Sequence, residues 1–179
     1  MLTIKKIQPR KANKGVLLDA NVFIDAEQDK PLAIQILKAA EDNYFSENPK
    51  FAFYTTNQAI QELYRLEPKI ESFGIFITPI NITNTDAVID SIRNGASSTD
   101  KGLLQALATN KDVDTLVTED RHLWNPDILN FVRTHYQKPV QIFNQNRFVE
   151  KFLQPQEVNH QGFEKIEAYL QAKGKFVGG

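Results

Sequence analysis

The chain has 179 residues, 41% of them hydrophobic and 24% charged, with a formal net charge of −1 at neutral pH. That length buries the core of one ordinary globular domain, and the near-neutral charge alone favours neither nucleic acid nor a membrane surface. The complete lack of cysteine excludes a disulfide framework, a thiolate zinc site and a cysteine nucleophile, so any bound metal must be held by oxygen or by the three histidines.

No apolar run is long enough to span a membrane, and the basic N-terminus lacks the apolar segment of a secretory signal; the expectation is a cytoplasmic protein. Residues 1–14 contain Lys5, Lys6, Arg10, Lys11 and Lys14 and no acid. They read either as a solvated tail or as an arm that follows a phosphate backbone.

Val16 to Leu18 form an apolar run that predicts a buried first strand, closed by Asp19. Leu32, Ala33, Ile36, Leu37 and Ala40 then recur at helical spacing behind Pro31, which suits a first turn. "KFAFYTT" predicts a second strand, and Thr55, Thr56 or Asn57 can cap the helix "QAIQELYRL" before Pro68 stops it. "GIFITPI" predicts a third strand, and Thr83 with Asp86 caps a helix running to about Arg93. The loop "NGASSTD" leads into the helix "KGLLQALAT", and "TLVTED" is the next strand. "RHLW" and a loop signal at Asn125-Pro126 precede a helix around "DILNFVRTHY", a last strand "PVQIF" and a short helix "NRFVEKFL". Beyond Pro155, Phe163, Ile166 and Leu170 give one amphipathic tail helix. Strands alternating with helices predict an α/β fold with a mainly parallel sheet. The divisions are a basic arm (1–14), a domain (15–154) and a C-terminal helical extension (155–179).

Parallel α/β sheets place functional groups at the carboxyl ends of their strands. Asp19 and Asp120 each stand where an apolar strand stops, Asp100 opens a helix, and Glu62 lies in the second turn of the helix after strand two. Four carboxylates thus share one edge. Together and unpaired they repel, and one takes up a proton unless a hard cation such as Mg²⁺ or Mn²⁺ neutralises them. Singly, each has a plainer reading: Asp100 as a helix cap, Glu62 on a solvated face. Asp19 is the most informative, because a carboxylate closing a buried strand is uncommon.

"LLDANVFID" with "TLVTEDRHL" resembles the PIN-domain family of metal-dependent ribonucleases. Asp19 and Asn21 match the family's first motif, Glu62 its second, Asp100 in "STDKGLLQALAT" its third, and Thr118 with Asp120 its fourth. The resemblance covers roughly residues 15 to 154. It implies a three-layer α/β/α sandwich and an endoribonuclease acting on RNA. Asp19, Asp100, Asp120 and Glu62 would then form the catalytic metal site for Mg²⁺ or Mn²⁺, with Asn21 and Thr118 orienting carboxylates or phosphate oxygens. It also suggests the toxin half of a toxin–antitoxin pair, held by a small antitoxin-like protein, and a chain that pairs as a homodimer.

Arg121 and His122, next to Asp120, are candidates for RNA contact or for a surface pair capping the motif loop. Asp112 and Asp114 suit the turn before the strand, and Glu119 would face away from Thr118 and Asp120 if the strand extends that far. His135 and His160 lack partners at metal-ligand spacing. Trp124, Phe131 and Tyr136 read as core first and as base-stacking groups second. Two other functions compete. One is a catalytically silent module binding RNA or protein. The other is an aspartyl-phosphate enzyme, disfavoured because Asn21 stands where a phosphatase of that type needs a second aspartate.

Overall fold

A computed structural model describes residues 14–63, 76–92 and 96–153. The basic arm before Lys14, Pro68, Arg93, His160 and the tail helix lie outside the described residues. Among those described, five strands form one all-parallel sheet in the order β3-β2-β1-β4-β5. They are β1 (Lys14–Leu18), β2 (Phe51–Thr56), β3 (Thr78–Ile80), β4 (Thr115–Val117) and β5 (Gln141–Phe143). Lys14, grouped above with the arm, is the first residue of β1.

The helices are α1 (Ala20–Glu27), α2 (Pro31–Tyr44), α3 (Asn57–Leu63), α4 (Ala87–Asp90), α5 (Ser98–Thr109), α6 (Pro126–Tyr136) and α7 (Gln145–Phe148). A 3₁₀ turn covers Arg121–Leu123, and a π turn, Val149–Leu153, follows α7. Alternate side chains of β1 sort the helices into layers, as strand geometry requires. Val16 and Leu18 pack with α1, α2, α3 and α7, whereas Leu17 and Leu116 pack with α4, α5 and α6. The result is the expected three-layer α/β/α sandwich. From Gly15 to Leu18 β1 is buried on both faces, which explains its unbroken run of valine and leucine.

Three local expectations change, and one helix lies where none was predicted. The apolar residues after Asp19 are a helix, α1, because the Asp19 carboxylate caps it by accepting from the Ala20 N–H at 2.6 Å. β3 starts only at Thr78, with Phe76 and Ile77 buried in the turn before it. Asn125-Pro126 is a helix start rather than a loop: the Asn125 side chain caps the Asp127 N–H at 2.9 Å, and Pro126 occupies the first helical position. β4 ends at Val117, so strand alternation does not reach Glu119. That carboxylate instead accepts the Gln145 N–H at 2.7 Å and caps the start of α7.

At the opposite edge of the sheet, Lys138 fastens the end of α5. Its ammonium donates to the carbonyls of Leu107, Asn110 and Val113 at 2.7, 2.6 and 2.5 Å. Burial lowers the Lys138 pKa, against the pull of Asp114 and Asp112. A methionine there would remove the ammonium from all three carbonyls, of which only that of Asn110 keeps another donor among the described residues, the Val113 N–H at 3.3 Å. Lys138→Met is expected to cost about 2–3 kcal/mol by denaturant unfolding, with no change in any activity measured well below the transition.

Candidate metal centre

The sheet order reverses beside β1: β2 and β3 extend it one way, β4 and β5 the other. Such a reversal opens a crevice outside the strand ends. β1 and β4 are neighbours, with Leu18 in register with Val117. Each is followed at once by a site residue.

Asp19 is the most enclosed of the acids, with 4% of its surface exposed. One oxygen accepts from Ala20 N, and the other accepts the Thr118 hydroxyl at 2.7 Å and faces the Asn21 amide at 3.5 Å. The Thr118 oxygen also accepts the Asp120 N–H at 3.0 Å. A single hydroxyl therefore ties the first acid to the loop of the fourth. Thr55, at the end of β2, donates to the Leu18 carbonyl at 2.8 Å and fixes the backbone just before Asp19. The Trp124 indole N–H donates to the Thr118 carbonyl at 2.9 Å, so this ring braces the loop. Phe131 and Tyr136, by contrast, pack against the core.

Asp120 and Asp100 meet across the β4–α5 gap. Asp100 is the third residue of α5 and forms a capping box with Ser97: its carboxylate accepts the Ser97 N–H at 3.0 Å, and the Ser97 hydroxyl accepts the Asp100 N–H at 3.1 Å. The plainer reading of Asp100 as a capping residue is thus realised, and the same side chain still reaches the Asp120 carboxyl. Burial first, and then the hydrogen bond with Asp120, push the Asp100 pKa up to about 6. Burial also disfavours charge on Asp120. The hydrogen bond from Asp100 and the donors of His122 outweigh it and bring Asp120 below the ordinary carboxylate range. The backbone N–H and the Nδ1 of His122 both reach Asp120 Oδ1 at 2.9 Å. Below about pH 6 the proton of this pair therefore rests on Asp100, because it is the more buried and Asp120 has the better donors.

Glu62 is exposed at the rim, held at 2.9 Å by the hydroxyl of Thr99 from the first turn of α5. Burial raises the Asp19 pKa, opposed by Thr118 and Ala20 and reinforced by the charges of Glu62 and Asp120. Asp19 thus senses Glu62 and Asp120, and Asp120 in turn meets Asp100. Arg121 and His122 are exposed on the 3₁₀ turn, and His122 serves as the expected cap of the motif loop. His135 stacks on Phe131 at 4.2 Å, away from this edge. Asp112 and Asp114 lie in the turn before β4, as expected.

Among the described residues, no three histidine or acidic side chains already close into a cage around a metal position. An Mg²⁺ or Mn²⁺ site does not demand one, since these ions keep several waters and bind through one or two carboxylates. The donor set suits such an ion in kind: its atoms are all oxygen, and Asp100 and Asp120 meet closely enough that Asp100 holds a proton up to about pH 6, a charge that a cation would neutralise instead. Among the described residues, no helix is long and apolar enough to cross a membrane.

The hydroxyl of Thr118 is the part of this site that the motif reading treated only as support. Thr118→Val keeps the shape and strips both hydrogen bonds, leaving the buried Asp19 oxygen with only the long Asn21 contact and the Asp120 N–H without the Thr118 oxygen. The expected results are a stability loss of about 1–3 kcal/mol by thermal melting, and a metal affinity about tenfold or more weaker by calorimetry. Comparison with protein-family models, curated proteins and solved structures found no match.

Proposed function

We propose that this chain is a metal-dependent endoribonuclease that hydrolyses RNA phosphodiesters at the centre formed by Asp19, Glu62, Asp100 and Asp120. The observation that carries the reading is the meeting of Asp100 and Asp120 at the sheet's switch point, where burial first and Asp120 second raise the Asp100 pKa to about 6. Repulsion of this kind is expensive to maintain unless a cation relieves it. The resemblance of "LLDANVFID" and "TLVTED" to the PIN-domain motifs supports RNA as the substrate.

When bound, Mg²⁺ or Mn²⁺ would supply charge neutralisation and a water acidic enough to attack phosphorus near neutral pH. Asp120, kept ionised by His122, and Asp100, released from its proton, are the primary ligands. Asp19 faces them in one fixed orientation, set by Thr118, Asn21 and the Ala20 N–H. Glu62 stands at the solvent rim, where it holds a water or accepts its proton. Arg121, exposed one residue beyond Asp120, is available to a phosphate oxygen.

The test is cleavage of an end-labelled RNA pool by the wild type and by Asp120→Asn, with Mn²⁺, with Mg²⁺ and with chelator. Metal-dependent scission lost in the variant supports the reading. A second reading, a silent RNA- or protein-binding module, draws on the lack of a closed acidic cage among the described residues. It prevails if neither protein cleaves and neither binds metal by calorimetry.

A further inference from the structure

Two of the four acids come from helices that pack side by side, Glu62 from α3 and Asp100 from α5. The Gln58 amide of α3 lies over Gly102 of α5, where an added Cβ would come within 2.1 Å of the amide oxygen. The bare glycine thus lets the helices approach closely. One turn further along α3, the Thr99 hydroxyl donates to Glu62 Oε1 at 2.9 Å.

Glu62 is an exposed side chain near the far end of a seven-residue helix. The near end of α3 is firmly tied. Asn57 pairs with both backbone groups of Ile82, at 2.9 and 3.2 Å, and the Thr56 hydroxyl accepts the Ala59 N–H at 3.2 Å. Among the described residues, the side chain of Glu62 has one hydrogen bond, from Thr99. A long exposed side chain without such a tie divides itself among rotamers. In the rotamer present, the charge of Glu62 acts on Asp19.

Thr99 suits this task. It is the second residue of α5 and is branched at Cβ, which restricts its χ1. A threonine in mid-helix can turn its hydroxyl back onto a carbonyl of the preceding turn, but the first turn of α5 has no helical carbonyl behind it. The backbone of Thr99 is spanned by the capping box of Ser97 and Asp100, with bonds of 3.0 and 3.1 Å. One helix start therefore orients two acids, Asp100 directly and Glu62 through the hydroxyl of the neighbouring residue.

We propose that Thr99 is the positioning residue of Glu62, its hydroxyl selecting the rotamer that presents this carboxylate to the acidic centre. The part this plays in scission rests on the nuclease reading; the hold on Glu62 does not.

Thr99→Val removes the hydroxyl at nearly constant shape, and Thr99→Ser keeps it. Thermal melts serve as folding controls, and both variants should melt close to wild type. The side-chain χ1 couplings of Glu62, read by NMR on metal-free labelled protein, should report one rotamer in wild type and in Thr99→Ser. In Thr99→Val they should report an average. Single-turnover cleavage of the end-labelled RNA pool in Mn²⁺ should slow about tenfold in Thr99→Val and recover in Thr99→Ser. A Glu62 rotamer unchanged in Thr99→Val would overturn the proposal. So would wild-type cleavage by that variant, or a loss that Thr99→Ser does not recover. If wild type cleaves RNA and the rotamer does not respond, the proposal is wrong and the nuclease reading survives. If the rotamer responds as expected and wild type cleaves no RNA, the hold of Thr99 on Glu62 stands and the nuclease reading fails.

Discussion

Asp19→Asn is expected to slow metal-dependent RNA cleavage by about 10³-fold or more, and in chelator at pH 8 to melt above the wild type. Both effects have one cause. The carboxylate is buried beside two other acids, which raises its pKa, so ionising it opposes folding. Asparagine keeps an oxygen for the Ala20 N–H and an amide directed at Thr118, and it removes the charge. The sign follows from linkage: a carboxyl whose folded pKa exceeds its unfolded value binds protons more tightly when folded. Stability is then highest at low pH and is lost as pH rises through the folded value. For Asp100 that window runs from 3.8 to about 6, and after solvent screening its loss amounts to about 1–2 kcal/mol. Metal-free wild type should therefore lose melting temperature across this window. The advantage of Asp19→Asn should shrink toward zero near pH 4. Mn²⁺ should raise the melting temperature of wild type more at pH 8 than at pH 5, because at the lower pH the ion must displace the Asp100 proton. Equal melting curves for wild type and variant at pH 8 in chelator would show that the cluster carries no repulsion.

Gly15→Ala is expected to destabilise the fold by about 3 kcal/mol or more, enough to reduce soluble yield at 37 °C. A Cβ on Gly15 would lie 1.7 Å from the Asp112 carbonyl oxygen and 2.7 Å from its carbon. These are backbone atoms, and they cannot retreat freely. The Gly15 carbonyl accepts the Asp114 N–H at 3.1 Å, which draws the Asp112–Asp114 turn onto β1. Val113 is fully buried under the same turn. The turn leads straight into β4, so displacing it would also shift Thr118 and Asp120 relative to Asp19. Denaturant unfolding measures the loss. A variant as stable as wild type would mean that the turn has room the geometry denies.

The glycine illustrates which features were readable in the sequence. Apolar runs marked β1 and β4 well, because strands buried on both faces need nearly uninterrupted valine and leucine, and the half-buried β2 and β5 still showed enough aromatic and β-branched residues to be read. Asp19, closing β1, and Asp120, three residues past β4, were legible for the same reason, since a charge just after such a run stands out. α1 was not, because "ANVFI" continues the apolar run and only Asp19, read as a cap, marks where the helix begins. Asn125-Pro126 carried the same ambiguity between a loop and a helix start. Contacts between distant segments were beyond local pattern. The close approach of Gly15 to Asp112, the grip of Lys138 on three carbonyls, and the amide of Gln58 over Gly102 each join residues far apart in the chain. Nothing in composition or spacing distinguishes that lysine from a solvated one.

The four-acid centre is tested most directly by Mn²⁺, which broadens the signals of nearby amides. Substoichiometric Mn²⁺ added to ¹⁵N-labelled protein at pH 7.5 should broaden Ala20, Asp100, Asp120 and Arg121 first, and Asp19→Asn should weaken that pattern. Broadening confined to exposed acids elsewhere, such as Glu47 and Asp127, would contradict a metal centre at the β1–β4 edge.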